Sequence, residues 1–421
     1  MSATAQRLLA DFDATTAGAS SESLRAELEQ GLPTPRDENW RYTSLRALER
    51  AAFRNAPAPS VATLEAARAL LPPRLEGVDR IVLVDGHFAT QLSEVTTAVT
   101  VRTTPGAPAL PTGWPARATD GRFASLNAAF SPGAVEVTAA AGTRAALEVC
   151  CVTMVAADQA AAHPRLSIAV APQAELVLIE RHVSGADANA LTNLLLEANV
   201  EAGARLQLTR SQQHGPRSQF FESLSLQVAR DAQLELAQVT LGALTSRTTA
   251  RIDLREPGAQ CGVHAALLAD ASRSHDAYVR VEHHAPHTQT REIVRGIAAD
   301  RARVAFNGHI LMAAGAVGAQ SEQSLRGLLS GAQCEIDLRP QLEIYVDAVK
   351  ASHGATTGKL DENMLFYLLS RGLDRPTAQS LLKWAFVADV MTRITDRALR
   401  TQIERDIAAR LTDVPIAREL A

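Results

Sequence analysis

The run Lys350-Ala-Ser-His-Gly-Ala-Thr-Thr-Gly-Lys-Leu360 sets one imidazole, His353, in a turn of small residues, where a side chain is easily exposed. Imidazole is a general metal ligand. By its surroundings alone, His353 is either a ligand or an ordinary turn histidine. The same run imitates a phosphate-binding loop. That loop needs four residues between its glycines and a Ser or Thr after its lysine, to cradle phosphate and hold magnesium. Here only Ala355, Thr356 and Thr357 separate Gly354 from Gly358, and Leu360 stands where the hydroxyl belongs. The segment therefore reads against nucleotide hydrolysis. A second cluster, His283, His284 and His287, has no cysteine beside it to complete a metal set. Adjacent strand residues face opposite ways, so these histidines read as polar side chains along a strand. Cys150, Cys151, Cys261 and Cys334 show no CxxC pairing. Cys261 and Cys334 fall at apolar positions of their segments and read as small hydrophobes. No Ser–His–Asp set or carboxylate pair can be assembled from local spacing.

Composition narrows the class of protein. The 421 residues suffice for two or three domains with a large core. The hydrophobic fraction of 46% and charged fraction of 21% are those of an ordinary soluble protein. A net charge of -4 gives no reason to expect nucleic acid or an anionic membrane as partner. No apolar run is long enough to span a bilayer. The first residues read as an amphipathic helix rather than a secretory signal, and the unpaired cysteines suit a reducing compartment, so a cytoplasmic location is expected.

The elements that must position His353 fall into three regions: a helical and mixed segment over 1–130, a β core over 131–349, and a helical domain over 350–421. In the first, helices are expected around Leu24 and over Ala62 to Leu71, a strand over Arg80 to Gly86, and a long loop over Thr103 to Trp114. In the second, short segments alternate Leu, Val or Ile with Glu, Arg or Gln, each preceded by an alanine: Ala174, Ala204, Ala232, Ala277, Ala302 and Ala332. The steps between them are 30, 28, 45, 25 and 30 residues, and a weaker copy at Ala259 divides the long one. Strand-length units at a loose period, without helices between them, predict a mainly β fold in which strands coil into a stacked β-helix. Its ends need covering against edge-to-edge pairing, and the flanking helical regions are expected to do that. In the third region, Asp361 is an expected N-cap, with Leu360, Met364, Leu365, Leu368 and Leu369 on one helix face and Gly372 after its end. Asp374 and Pro376 open a second helix, and Arg397 to Leu411 forms a third, more charged one.

The segment from Arg339 to Glu362, followed by Leu365-Phe-Tyr-Leu-Leu-Ser-Arg-Gly372, closely resembles the SufB/SufD family, nearest its SufD branch. Other stretches agree: Glu38, Trp40, Arg41, Tyr42 and Thr43; Phe123 to Asn127; His284 to Thr288; and Gly308-His-Ile310. The resemblance implies a right-handed parallel β-helix between helical regions. It implies a non-catalytic scaffold subunit that forms a heterodimer with SufB, each subunit docking one copy of the ATPase SufC. ATP hydrolysis then belongs to SufC, and the complex assembles iron–sulfur clusters. The resemblance places His353 at the SufB interface, near a SufB cysteine, as part of the nascent-cluster site, where it either ligates the metal or shapes the interface. Asp361, Leu365, Phe366, Tyr367, Arg371, Trp384 and Phe386 become the residues expected to dock SufC. No cofactor is expected to bind tightly to this chain alone; the nascent cluster sits at the interface, and the complex leaves room for a flavin. Two departures stand out. Ala351 replaces a cysteine common in relatives, and Gln323-Ser-Leu-Arg-Gly-Leu-Leu329 keeps a family pattern only in part. Two rival readings are a β-helix enzyme acting on polysaccharide and a purely structural homodimer.

Overall fold

The computed structural model describes residues 3–411 apart from 16–18, 52, 97–98, 107–110, 116 and 155–158. Its centre is a parallel β-solenoid of about 7 turns, with helices toward both termini. Each turn lays one strand in each of two facing sheets. One sheet carries Glu175–Ser184, Arg205–Gln213, Gln233–Thr240, Gln260–Ala269, Gln289–Ala299, Gln320–Ser330 and Lys350–Gly358. The other carries Leu191–Val200, Gln219–Val228, Thr245–Leu254, Ser274–His283, Arg303–Met312 and Glu335–Ile344. Neighbouring strands are parallel and in register: Glu175 lies beside Arg205, Gln219 beside Thr245, and Arg303 beside Glu335. A turn therefore consumes roughly 30 residues, which is the period visible in the sequence. The anomalous long step arises because the segment at Gln233 lies in one sheet and that at Tyr278 in the other.

Alternation explains the core. Leu176, Leu206, Leu234 and Cys261 are register partners on successive turns, and all are buried inside the coil. Each buried leucine contributes about 1.5–3 kcal/mol. The recurring alanines have a local cause. Gln173, Gly203, Asp231, Gly258 and Gly318 turn one corner of the coil with positive φ, and each is followed by an alanine with almost no exposed surface. Gly203 sits under the Gln173 side chain and Gly258 under that of Asp231, so a Cβ at either would collide with its neighbour. Ala277 and Ala302 belong to the other sheet and its corner, and Ala332 is exposed. The six alanines are thus not one row.

The strands Leu191–Val200, Gln219–Val228 and Thr245–Leu254 escape the simple alternation because both faces are covered. N-terminal residues cover the outer face. Trp40 stacks on Phe123 at 5.3 Å, and Phe123 on Phe221 at 4.3 Å. Asn127 donates from Nδ2 to the Asn193 and Pro164 carbonyls at 2.7 and 2.8 Å. Part of the expected loop from Thr103 is instead strand: Thr100–Pro105 runs antiparallel to Gly133–Ala139. The rest of that loop includes 107–110, outside the described residues.

The two ends of the coil differ. At its start, the antiparallel strands His87–Phe88 and Thr100–Pro105 close the sheet edges. At its finish, Glu335–Ile344 and Lys350–Gly358 are the last strands of their sheets, with no further strand beside them among the described residues. The C-terminal helices do not cover this end. Val387, Val390, Met391, Leu399, Ile403 and Ile407 pack instead on the outer face of one sheet, against Val239, Ala266, Leu268, Ile293 and Ile297.

Candidate functional site

His353 lies in a strand, not in a turn. Lys350–Gly358 extends the β core past the boundary expected at 349, pairing with Gln320–Ser330 so that His353 stands beside Gln323. Small residues gave this segment no apolar alternation. The preceding turn supplies a hydrogen-bonding template that makes it a strand regardless of local propensity. Gly354 to Gly358, the near phosphate loop, is part of this ladder and forms no cradle. The strand is almost wholly exposed, although Ala351 still packs on the core. His353, two residues on, has the same inward phase. Ile344 and Tyr345, at 43% and 65% exposure, add apolar surface near this open end.

Behind His353 the coil interior turns polar. Earlier turns place Leu234 and Leu236, then Cys261 and Val263, at these inward positions. The next strands place Thr290 and Glu292, then Ser321 and Gln323. Gln323 Nε2 donates to Glu292 Oε2 at 2.7 Å. Both side chains lie against Gly308 of the opposite sheet, whose absent Cβ would fall 2.6 Å from Glu292 Oε2 and 2.7 Å from Gln323 Nε2. Burial pushes the Glu292 carboxyl up to about 7, although the Gln323 hydrogen bond opposes the shift. Glu292 and Gln323 were not among the sequence candidates. The usable signal was phase: in Gln289-Thr-Arg-Glu-Ile-Val, Glu292 alternates with Val294, and so points inward.

The helix Glu362–Ser370 follows at once. Asp361 caps it, accepting from the Asn363 and Met364 amides at 2.8 and 3.3 Å. Leu365 is buried, whereas Met364, Phe366 and Tyr367 are 58%, 71% and 56% exposed. Arg371 is exposed, with its guanidinium 5.1 Å from the Tyr367 ring centre. Trp384 and Phe386 are half-buried in the seam between helices and coil. The expected docking residues thus separate into an exposed face of Phe366, Tyr367 and Arg371, a cap at Asp361, and packing residues Leu365, Trp384 and Phe386. Met364, expected on the packed face, joins the exposed one.

Other clusters are accounted for within the fold. Cys151 and Cys261 lie inside the coil, and Cys150 packs on the opposite face of its strand near Ala67. Burial pushes the Cys150 thiol up to about 12 and those of Cys151 and Cys261 well above their usual value, which makes them poor ligands. His283 is buried, 2.8 Å from Thr288 Oγ1 and 3.0 Å from Thr290 Oγ1. Asp253, Glu282 and His284 bring three ligand atoms within 4.8 Å of one another. Their charges are already balanced: Arg251 contacts both carboxylates and Arg280 contacts Glu282. Hydrogen bonds to Asp253 and Glu282 raise His284 to about 9, so it is a cation in this network. Among the described residues, no helix is long and apolar enough to cross a membrane.

Comparison with known proteins gives a consistent result. Residues 152–386 match the family model described as SUF system FeS cluster assembly, SufBD core domain. The chain is 30% identical to the iron-sulfur cluster assembly protein SufD of Escherichia coli (strain K12), over 93% of this chain and 92% of that protein. It is 25% identical to an iron-sulfur cluster assembly SufBD family protein of Synechocystis, over 90% of this chain and 87% of that one. A 26% identity to the iron-sulfur cluster assembly protein SufD of Plasmodium berghei covers 58% of this chain and 18% of that longer protein.

Proposed function

This chain belongs to the SufB/SufD family, and on that premise we propose that it is a non-catalytic scaffold subunit for iron–sulfur cluster assembly, pairing with SufB and docking the ATPase SufC. The observation that carries this reading is the open end of the coil. Two strand edges with no partner among the described residues, the apolar Ile344 and Tyr345, and the inward-phase His353 meet there. An exposed strand edge is a template for another chain, and natural proteins rarely leave one bare without a partner. A second coil abutting this end continues the ladders and encloses His353. The imidazole then becomes a ligand for a nascent cluster held between the subunits, with further ligands from SufB. The cluster is cargo of the interface rather than a resident group of this chain.

The exposed face of Phe366, Tyr367 and Arg371 supports docking of SufC nearby. It is joined to the strand of His353 through Lys359, Leu360 and Asp361. A pull on the helix is therefore passed to the edge strand by covalent connection. ATP-driven movement of SufC would strain the SufB interface and open the site, a switch acting on a two-state interface.

Co-expression tests the reading. The tagged chain should retain SufB and SufC through purification at moderate salt; retention of neither overturns the assignment. His353→Ala should leave the complex intact and lower cluster yield. A complex with unchanged yield would remove His353 from the ligand set.

A further inference from the structure

We propose that Glu292, Gln323 and Ser321 form a divalent-cation site inside the last turns of the coil, loaded through the open end where His353 stands. The first support is a break in pattern. In the two inward rows that end at Ala351 and His353, positions are apolar from Leu176 and Leu178 to Cys261 and Val263, then become Thr290 and Glu292, Ser321 and Gln323, over the strands next to the open end. The second is unmet bonding. Glu292 Oε1, Gln323 Oε1 and Ser321 Oγ are buried with no hydrogen-bond partner, whereas Thr290 is satisfied by His283. Buried acceptors are normally partnered, so three without a donor in one place call for a ligand that supplies positive charge. The third is space. Only glycine at position 308 lets the Glu292 and Gln323 side chains meet here, since a Cβ would come within 2.6 Å of one and 2.7 Å of the other.

The chemistry selects the ligand class. One carboxylate, one amide carbonyl and one hydroxyl are oxygen donors, with imidazole one ladder step beyond, since His353 pairs with Gln323. An oxygen-rich set with a nearby imidazole suits ferrous or manganous ions rather than the soft ions that prefer thiolate. Only the link between this ion and the cargo of the assembly rests on the function proposed above; the site itself needs no partner.

The test uses the full chain, alone and co-purified with its partners, under anaerobic conditions. Ferrous iron is titrated by calorimetry, and manganous ion by electron paramagnetic resonance. One ion should bind per chain, and Glu292→Gln, which keeps the shape and removes the charge, should weaken binding roughly 10–100-fold. Gly308→Ala should weaken it too, by displacing both donors; Glu292→Gln keeps the test decisive if that variant folds poorly. No stoichiometric binding, or equal affinity in Glu292→Gln, overturns the proposal. Glu292→Gln should still retain SufB, so a failed metal titration leaves the partner reading standing, and a failed co-purification leaves the metal result standing.

Discussion

Phe366→Ala should separate docking from folding. Phe366 is 71% exposed on the helix Glu362–Ser370, while its neighbour Leu365 is buried against the rest of the fold. A phenylalanine presents about 200 Å² of surface, so docking can remove roughly 140 Å² from water at this position. At about 25 cal/mol per Å² that is about 3.5 kcal/mol, or roughly 300-fold in Kd. The folded chain alone loses almost nothing, since an exposed side chain contributes within about 0.5 kcal/mol. Leu365→Ala should do the reverse, costing the isolated chain about 2–5 kcal/mol through the cavity it leaves. Calorimetric titration with SufC and urea unfolding of the chain alone read the two effects. Affinity for SufC within threefold of the parent in Phe366→Ala would refute the docking argument. So would a loss of stability above about 1 kcal/mol in that variant, because it would mean that the side chain is packed.

Further predictions concern the coil itself. Inside it, Arg210 bridges Glu180 and Glu222, each at 2.6 Å, and all are buried. Arg210→Met should cost about 3–5 kcal/mol by leaving carboxylates unpaired in the core. Burial opposes ionisation of Glu180, but Arg210 and His182 outweigh it and hold the carboxyl below its usual range. In the parent protein this contribution is therefore present above the unfolded carboxylate value and is lost only as pH falls below it. Without Arg210, burial dominates and Glu180 folds best protonated, so the gap between parent and variant should widen from pH 5 to pH 8. Urea midpoints showing an equal or larger gap at pH 5 would contradict this. At the corner, Gly258 has φ +76° and lies under Asp231, so Gly258→Ala should destabilise by about 1–2 kcal/mol. Asp231→Gly in the same chain should recover part of that loss by removing the colliding side chain, measured by thermal unfolding.

How much of this was legible in the chain follows from the range of each interaction. Strand alternation, the Asp361 and Asp374 caps and the alanine after most turns of one corner depend on residues a few positions apart, so the sequence alone determined the coiled β architecture and the C-terminal helices. The specificity of the stretch around His353 likewise determined the family. Only the tertiary structure decided which end of the coil is open. It also decided that His353 sits in an edge strand with Glu292 and Gln323 behind it, and that Phe366 faces solvent while Leu365 does not. Those facts depend on the stacking of residues about thirty positions apart and on where the terminal helices come to rest. A strand carries no local mark of being last: His353 is exposed because no further turn stacks on its strand among the described residues, and Glu292 is buried because one stacks on its own.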